Sequence, residues 1–398
     1  MKKLILILII AVNLVLPAEY TMSGVLKSFY ATETGRDHEF LIEYNRFQLK
    51  TEAYSENLHG LFVVDLLHDL INHKEVISLR EAWVEYFGSS FSIKLGRQHV
   101  VWGKVDGYFV NDIVNPLDLS YFLLQDFDDI RTPVNILKGK IYKGNSSFEF
   151  IAIPEFKSSL IPTSGKWSIF SVQFPPMFQN FKILDIVPEN NLNSVGVGGR
   201  FSAFLLGTDL SLIFLRKMEY TPVMRINMAD SLIMKTYPWF TFYGLSFSRP
   251  LGTLVLRGEG GYYKQRYFTT VDLRPAKSPF YQFCIGFDYE LLTNFNISMQ
   301  YIEEGITDYS PKIIQDEKRR ISTSFLNYKF AEETIKPGVI LLYNLEDESF
   351  MSGLNLELDM VDNLNIVVGG FIFNGERDSF FGKFDSNDLL FLKVKYYF

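Results

Sequence analysis

Residues 279–304 read PFYQFCIGFDYELLTNFNISMQYIEE, two runs that alternate with period two on either side of a short break at Leu292-Thr293-Asn294. Phe283, Ile285, Phe287 and Tyr289 share one parity, opposite Gln282, Cys284, Gly286, Asp288 and Glu290. Across the break, Phe295, Ile297, Met299 and Tyr301 oppose Asn296, Ser298 and Gln300. Successive side chains of a strand point to opposite faces, so each run has one apolar and one polar face. Leu354, Leu356 and Leu358 against Asn355, Glu357 and Asp359 repeat the pattern. Parity alone also describes a soluble sandwich, whose apolar face would be the core. Strand length, link lengths and the N-terminus separate the two.

Working outward, about eighteen segments of about ten residues follow one another, the length a tilted strand needs to cross a bilayer. They are 20–31, 38–52, 58–69, 75–88, 90–100, 133–143, 146–155, 193–205, 207–218, 237–248, 252–265, 279–291, 293–304, 318–330, 333–345, 348–360, 363–374 and 388–398. Sixteen strands would also fit. Tight turns at Gly88-Ser89-Ser90, Lys143-Gly144-Asn145-Ser146, Arg249-Pro250-Leu251-Gly252 and Val361-Asp362-Asn363 alternate with longer links near 101–132, 156–192, 219–236, 266–278, 305–317 and 375–387. Short turns on one side and long loops on the other are the asymmetry of outer-membrane barrels. The short link at Glu346-Asp347-Glu348 is the exception. The expected fold is all-β, an antiparallel up-and-down transmembrane barrel spanning 19–398 with both termini periplasmic.

The N-terminus reads as an export leader. Met1-Lys2-Lys3 precedes an apolar run from Leu4 to Leu16 and then Pro17-Ala18, so 1–18 is the expected signal peptide. The run is shorter than the ~20 residues of a membrane-spanning helix, and Asn13 interrupts it. At the other end, Leu390, Leu392, Val394, Tyr396 and Phe398 share a face opposite Lys393, Lys395 and Tyr397. A terminal aromatic on an alternating strand resembles the outer-membrane assembly signal, which makes the barrel-assembly machinery an expected partner through Phe398, besides outer-membrane lipid. Tyr262-Tyr263, Trp239-Phe240 and Tyr396-Tyr397 suit interfacial girdles.

Composition narrows the function classes. Hydrophobic residues make up 47% and aromatics 16%, with 37 Phe and 22 Tyr, yet no second long apolar run is present. Net charge is -7, and loss of Lys2 and Lys3 makes the remainder more acidic, so a nucleic-acid partner is disfavoured. The single Cys284 excludes an intramolecular disulfide and a cysteine-based zinc site. None of the five histidines, His38, His59, His68, His73 and His99, sits in a nucleophile-elbow or HExxH arrangement. The pairs Glu303-Glu304 and Asp128-Asp129 have no spacing suited to acid–base work. No catalysis, metal or cofactor is expected.

One segment carries a fingerprint: Gly96-Arg97-Gln98, Trp102-Gly103, Asn111-Asp112, Asn115-Pro116-Leu117-Asp118 and Arg131-Thr132-Pro133-Val134. It resembles a family of Gram-negative outer-membrane porin-like β-barrels with a GRQ, WG, NPxD and RxPV series, and more remotely it is similar to the alginate-export porin, an eighteen-stranded barrel. Lys104 departs from the acidic or small polar residue that the resemblance implies after Trp102-Gly103. The resemblance implies transport of larger or apolar cargo.

Read physically, Asn115 is placed to cap a short helix with Pro116 at its first position, over Leu117–Gln125, with Leu119, Phe122 and Leu123 on an apolar stripe. Such a stripe is expected to fold inward, so 101–132 becomes a constriction loop after strand five. Arg97 and Arg131 would pair with Asp112, Asp118, Asp128 or Asp129, either fastening the loop or meeting cargo. The candidate lumen residues are Arg97, Gln98, Trp102, Lys104, Asp106, Asp112, Asn115, Asp118, Asp128, Asp129 and Arg131. Segment 156–192, with Pro162, Pro175-Pro176, Pro188, Trp167, Phe170, Phe174, Phe178 and Phe181, is too apolar for a disordered tail and reads as an outer lid or a greasy entry surface.

Two functions compete. The preferred one is a porin-like channel or transporter for small solutes or amphipathic cargo; the other is a non-conducting receptor or sheath that binds a partner. The acidic loop favours cations if its carboxylates face the lumen unpaired.

Overall fold

The computed structural model describes residues 19–35, 38–168, 176–178 and 180–398. The expected leader 1–18 lies outside the described residues, as do Phe170 and Phe174 of the expected lid. Among the described residues the alternating runs form β1 (Glu19–Glu33), β2 (Phe40–Tyr54), β3 (Leu58–Asp69), β4 (Lys74–Phe87), β5 (Phe91–Gln98), β6 (Val134–Lys143), β7 (Ser146–Ile153), β8 (Lys182–Asp185), β9 (Gly196–Leu205), β10 (Thr208–Met218), β11 (Val223–Asn227) and β12 (Leu232–Thr236). The series continues with β13 (Trp239–Leu251), β14 (Leu254–Phe268), β15 (Ala276–Leu292), β16 (Phe295–Ile306), β17 (Lys318–Tyr328), β18 (Ile335–Asn344), β19 (Phe350–Val361), β20 (Leu364–Asn374) and β21 (Leu389–Tyr397).

Eighteen of these form one sheet, and β8, β11 and β12 form a separate sheet of three. In the large sheet each neighbour is antiparallel, and β1 pairs with β21, Val25 opposite Tyr397, as well as with β2. The sheet therefore closes into an 18-stranded barrel. Closure leaves no unpaired edge, which a strand structure needs in hydrocarbon. At the seam, Phe398 exchanges backbone hydrogen bonds with Gly24 and stacks on Phe47, with centroids 5.8 Å apart. A Cβ at Gly24 would lie 2.4 Å from the Phe398 ring, so the aromatic fits only against glycine.

Parity separates the two faces. Ile285 is 54% exposed and Leu354 65%, whereas Cys284 is 2% exposed and donates its thiol to Gln300 at 3.3 Å. Leu95, Leu212, Ile372 and Leu390 are likewise exposed, an outer surface as apolar as a lipid-facing wall requires. The large buried clusters sit on the other face, where links from one end pack against the strands: Trp102 and Val114 against Ile136, Ile151, Leu215 and Phe242, and Phe122 against Phe373, Phe381 and Phe384.

Tight turns at 88–90, 144–145, 206–207, 252–253, 293–294 and 362–363 join strands at one end; 99–133, 154–168, 180–195, 219–238, 269–275, 307–317 and 375–388 lie at the other. Two expectations are corrected there. Leu117–Gln125 is not a helix: it is a bridge followed by a turn, and the one α-helix among the described residues is α1, Phe127–Ile130, preceded by Asp126. The links 156–192 and 219–236 hold unexpected strands: β8 pairs in parallel with β12, which pairs with β11. Tyr237 Oη donates to Asp185 across this small sheet at 2.9 Å.

Candidate constriction segment

Segment 99–133 leaves the barrel at the end of β5. Gly96 has φ +132°, and a Cβ there would lie 2.2 Å from the Ala82 carbonyl oxygen, so only glycine lets β5 pass β4 this closely. Gln98 is buried and donates to the Ile136 carbonyl at 3.0 Å. Asn115 is not a helix cap. Its Oδ1 accepts from Val100 N at 2.8 Å and its Nδ2 donates to Thr132 O at 3.0 Å, so one side chain ties the entry of the segment to its exit. Thr132 N donates to Pro116 O at 2.8 Å and Leu117 bridges Arg131, completing this neck.

Beyond the neck the segment meets strand after strand. Trp102 is fully buried and donates Nε1 to Glu149 of β7 at 2.6 Å, while Glu149 faces Arg200 of β9 at 3.4 Å. Glu259 of β14, buried, accepts the backbone N–H groups of Lys104, Val105 (3.1 Å) and Asn111 (3.0 Å). Lys104 Nζ lies 3.1 Å from Asp209 of β10. Asp106 pairs with Arg257 at 3.0 Å, and its carbonyl accepts from Gln300 of β16 at 2.9 Å. Tyr108 donates to Glu304 at 2.5 Å; burial and that carboxylate push its phenol well above the ordinary range. Asn111 donates to the Leu245 carbonyl of β13 at 2.8 Å.

The second half turns to the opposite strands. Asp126 lies 2.8 Å from Lys27 and from Lys395 and 3.2 Å from Lys393. Asp129 lies 2.8 Å from Lys27, 2.6 Å from Arg46 and 3.1 Å from Arg80. Burial disfavours both charges, but Lys393, Lys27 and Lys395 hold Asp126, and Lys27, Arg46 and Arg80 hold Asp129, well below the usual carboxylate range. Arg131 binds Asp112, with Asp128 3.6 Å away and 93% exposed. Burial pushes the Asp112 carboxyl up in spite of Arg131.

The expected partnership of Arg97 with the loop acids is corrected: it faces Glu155 at 3.6 Å, on the neck. Asp118 accepts from Ser120 N at 3.0 Å and makes no ion pair among the described residues. Sequence reasoning missed Glu259, Asp126 and the wall cations Lys27, Arg46 and Arg80. Parity put Lys393 and Lys395 on the polar face of their strand; Lys27, Arg46, Arg80 and Glu259 lie on β1, β2, β4 and β14, where the same reading could be applied, whereas Asp126 lies in a link that has no strand parity.

A family model described as a protein of unknown function (DUF1302) matches residues 66–316, more than half of the chain. No curated protein matches. Among solved structures, the outer membrane protein opdK from Pseudomonas aeruginosa is similar at 10% identity and TM-score 0.57, covering 96% of this chain and 99% of that one. OccK2 (OpdF) of Pseudomonas aeruginosa, in complex with glucuronate, gives 9% and 0.55 over 95% and 98%. OccAB3 of Acinetobacter baumannii gives 10% and 0.54 over 96% and 99%. At these identities the shared property is the barrel fold.

Proposed function

The chain belongs to the DUF1302 family, and from that premise and its closed barrel we propose that it is an outer-membrane channel for small hydrophilic solutes, with segment 101–132 folded into the lumen as a constriction. The observation that carries this reading is the set of hydrogen bonds and ion pairs from that one segment to β1, β2, β4, β7, β10, β13, β14, β16 and β21. A single link reaches strands all around a closed barrel only across its inside. The leader 1–18 would direct export, and an even strand count would leave both termini on the periplasmic side, with Phe398 presented to the assembly machinery.

The charge pattern bears on selectivity. Cation preference required unpaired loop carboxylates; Asp106, Asp112, Asp126, Asp128 and Asp129 have cationic partners, which leaves Asp118 as the one loop acid without an ion pair among the described residues. Lys27, Arg46, Arg80, Lys393 and Lys395 outnumber their partners Asp65, Asp126 and Asp129 on one side, while on the other Asp288 and Glu304 are matched by Arg257 and Arg319 and Glu259 is held by backbone N–H groups. A solute passing this wall meets an excess of positive charge on one side. Exposed Met177, Ile183, Leu184 and Leu192 near the long-link end support amphipathic cargo as a second reading.

The test is conductance of the refolded mature chain in a planar bilayer, compared with a chain lacking residues 105–128. Steady current that rises on deletion is the expected outcome. Absence of current from both forms would replace the channel by a sheath or receptor.

A further inference from the structure

Barrel register sets Lys27 of β1 directly opposite Arg46 of β2 on one side and Lys395 of β21 on the other. Three like charges in a row across neighbouring strands repel, and directly opposed like charges destabilise a sheet. Arg80 and Lys393 join them, and Lys27 is only 5% exposed. The wall supplies one acid of its own, Asp65 of β3, bound to Arg46 and 3.8 Å from Arg80. Five partly dehydrated cations with one counter-charge form a wall that calls for further carboxylates. Two arrive from the segment: Asp126 and Asp129, three residues apart, joined into one site because Lys27 reaches both at 2.8 Å. Fastening the segment does not require so many charges. Asn115, Trp102 and the three N–H groups on Glu259 hold its neck and first half, and Phe122, packed among Phe373, Phe381 and Phe384, anchors the second.

We propose that this patch is a binding site for a small organic dicarboxylate in the lumen, and that Asp126 and Asp129 occupy it as internal stand-ins. Solute and segment then compete for the same cations. Exchange replaces two carboxylates by two carboxylates on the wall cations, which keep their counter-charges, while the displaced Asp126 and Asp129 must pass to water. Guanidinium forks at Arg46 and Arg80 suit carboxylate geometry. The arrival of solute rests on the channel reading above; the site itself does not.

The test titrates the refolded full barrel in detergent with succinate by calorimetry, and records reversal potentials of the same proteins in planar bilayers. Asp126→Asn/Asp129→Asn removes the stand-ins, Asp129→Asn alone is the milder variant, and heat-modifiable gel mobility verifies folding of each. Succinate is expected to bind the double variant at least about tenfold more tightly than the parent. Acetate and the dication putrescine gain nothing, and the reversal potential moves toward anion selectivity. Adding Arg46→Gln and Lys393→Gln removes the gain. Equal succinate affinity in parent and variants, or a gain that survives loss of those two cations, overturns the proposal and leaves the cluster as a fastening. A binding gain without current in any form keeps the site and overturns the channel reading alone.

Discussion

Asp126 and Asp129 stay ionised against their burial because five lysine and arginine side chains, Lys27, Arg46, Arg80, Lys393 and Lys395, lie within reach of the pair, and the sign of the resulting pH dependence follows. In the unfolded chain both carboxyls titrate near the ordinary value of about 3.9. In the folded chain they bind protons less readily, so they contribute stability that is fully present above the unfolded value and is lost as pH falls through the depressed folded ones. Protease resistance of 117–131 and single-channel conductance are therefore expected to hold constant from about pH 8 to about pH 5 and to change only in stronger acid. A transition centred near neutrality would assign control of the segment to another group. Asp112 behaves oppositely: burial outweighs Arg131, its carboxyl is raised, and it protonates before the other two. None of this is readable in Asp128-Asp129 as a dipeptide, where one acid is buried among cations and its neighbour is almost wholly exposed. The tie made by Asn115 was equally hidden, because a residue before proline reads as a helix cap until its partners, Val100 and Thr132, are known.

At the scale of elements, Leu117–Gln125 shows how packing overrides a local signal. Nine residues make a marginal helix, and their backbone groups find partners elsewhere: Leu119 N donates to Leu160 O at 2.8 Å, and Leu160 N donates to Leu117 O at 2.8 Å. The apolar stripe was real but is met by a turn. Phe122 takes φ +52° and drops its ring 4.7 Å from that of Phe384, in the link before β21, beside Phe373 and Phe381. Truncation to Phe122→Ala is expected to cost about 3–5 kcal/mol of local stability. It should show as cleavage within 117–131 and within 375–388 under limited proteolysis, with the barrel intact. Cleavage confined to the first link would separate the two elements. The barrel strands, by contrast, were legible to within about three residues at each end, since period two and a fixed crossing length are properties of each run by itself, whereas β8, β11 and β12 were not.

For the whole molecule, the closed barrel assigns each parity to lipid or lumen, and the assignment is testable at one strand. Ile285, at the middle of β15 and exposed on the outer face, is expected to lose about 2–4 kcal/mol on Ile285→Arg, measured by reversible unfolding in lipid vesicles. Ser298→Arg, at a half-buried position on the inner face of β16, should cost much less; equal costs would place both residues in the same environment. A barrel of sixteen to eighteen strands, for which closure then decided on eighteen, the faces of the strands, the long and short links and the outer-membrane type of barrel followed from the sequence, because each rests on patterns no longer than one strand and its turn. The charge site did not. Lys27, Arg46, Arg80 and the Lys393/Lys395 pair come from four strands, and β1 meets β21 only when the sheet closes, so residues at opposite ends of the chain become neighbours. Asp126 and Asp129 reach them because a link anchored at β5 crosses to the strands of that seam, an arrangement set by tertiary packing and long-range electrostatics, which no local period encodes.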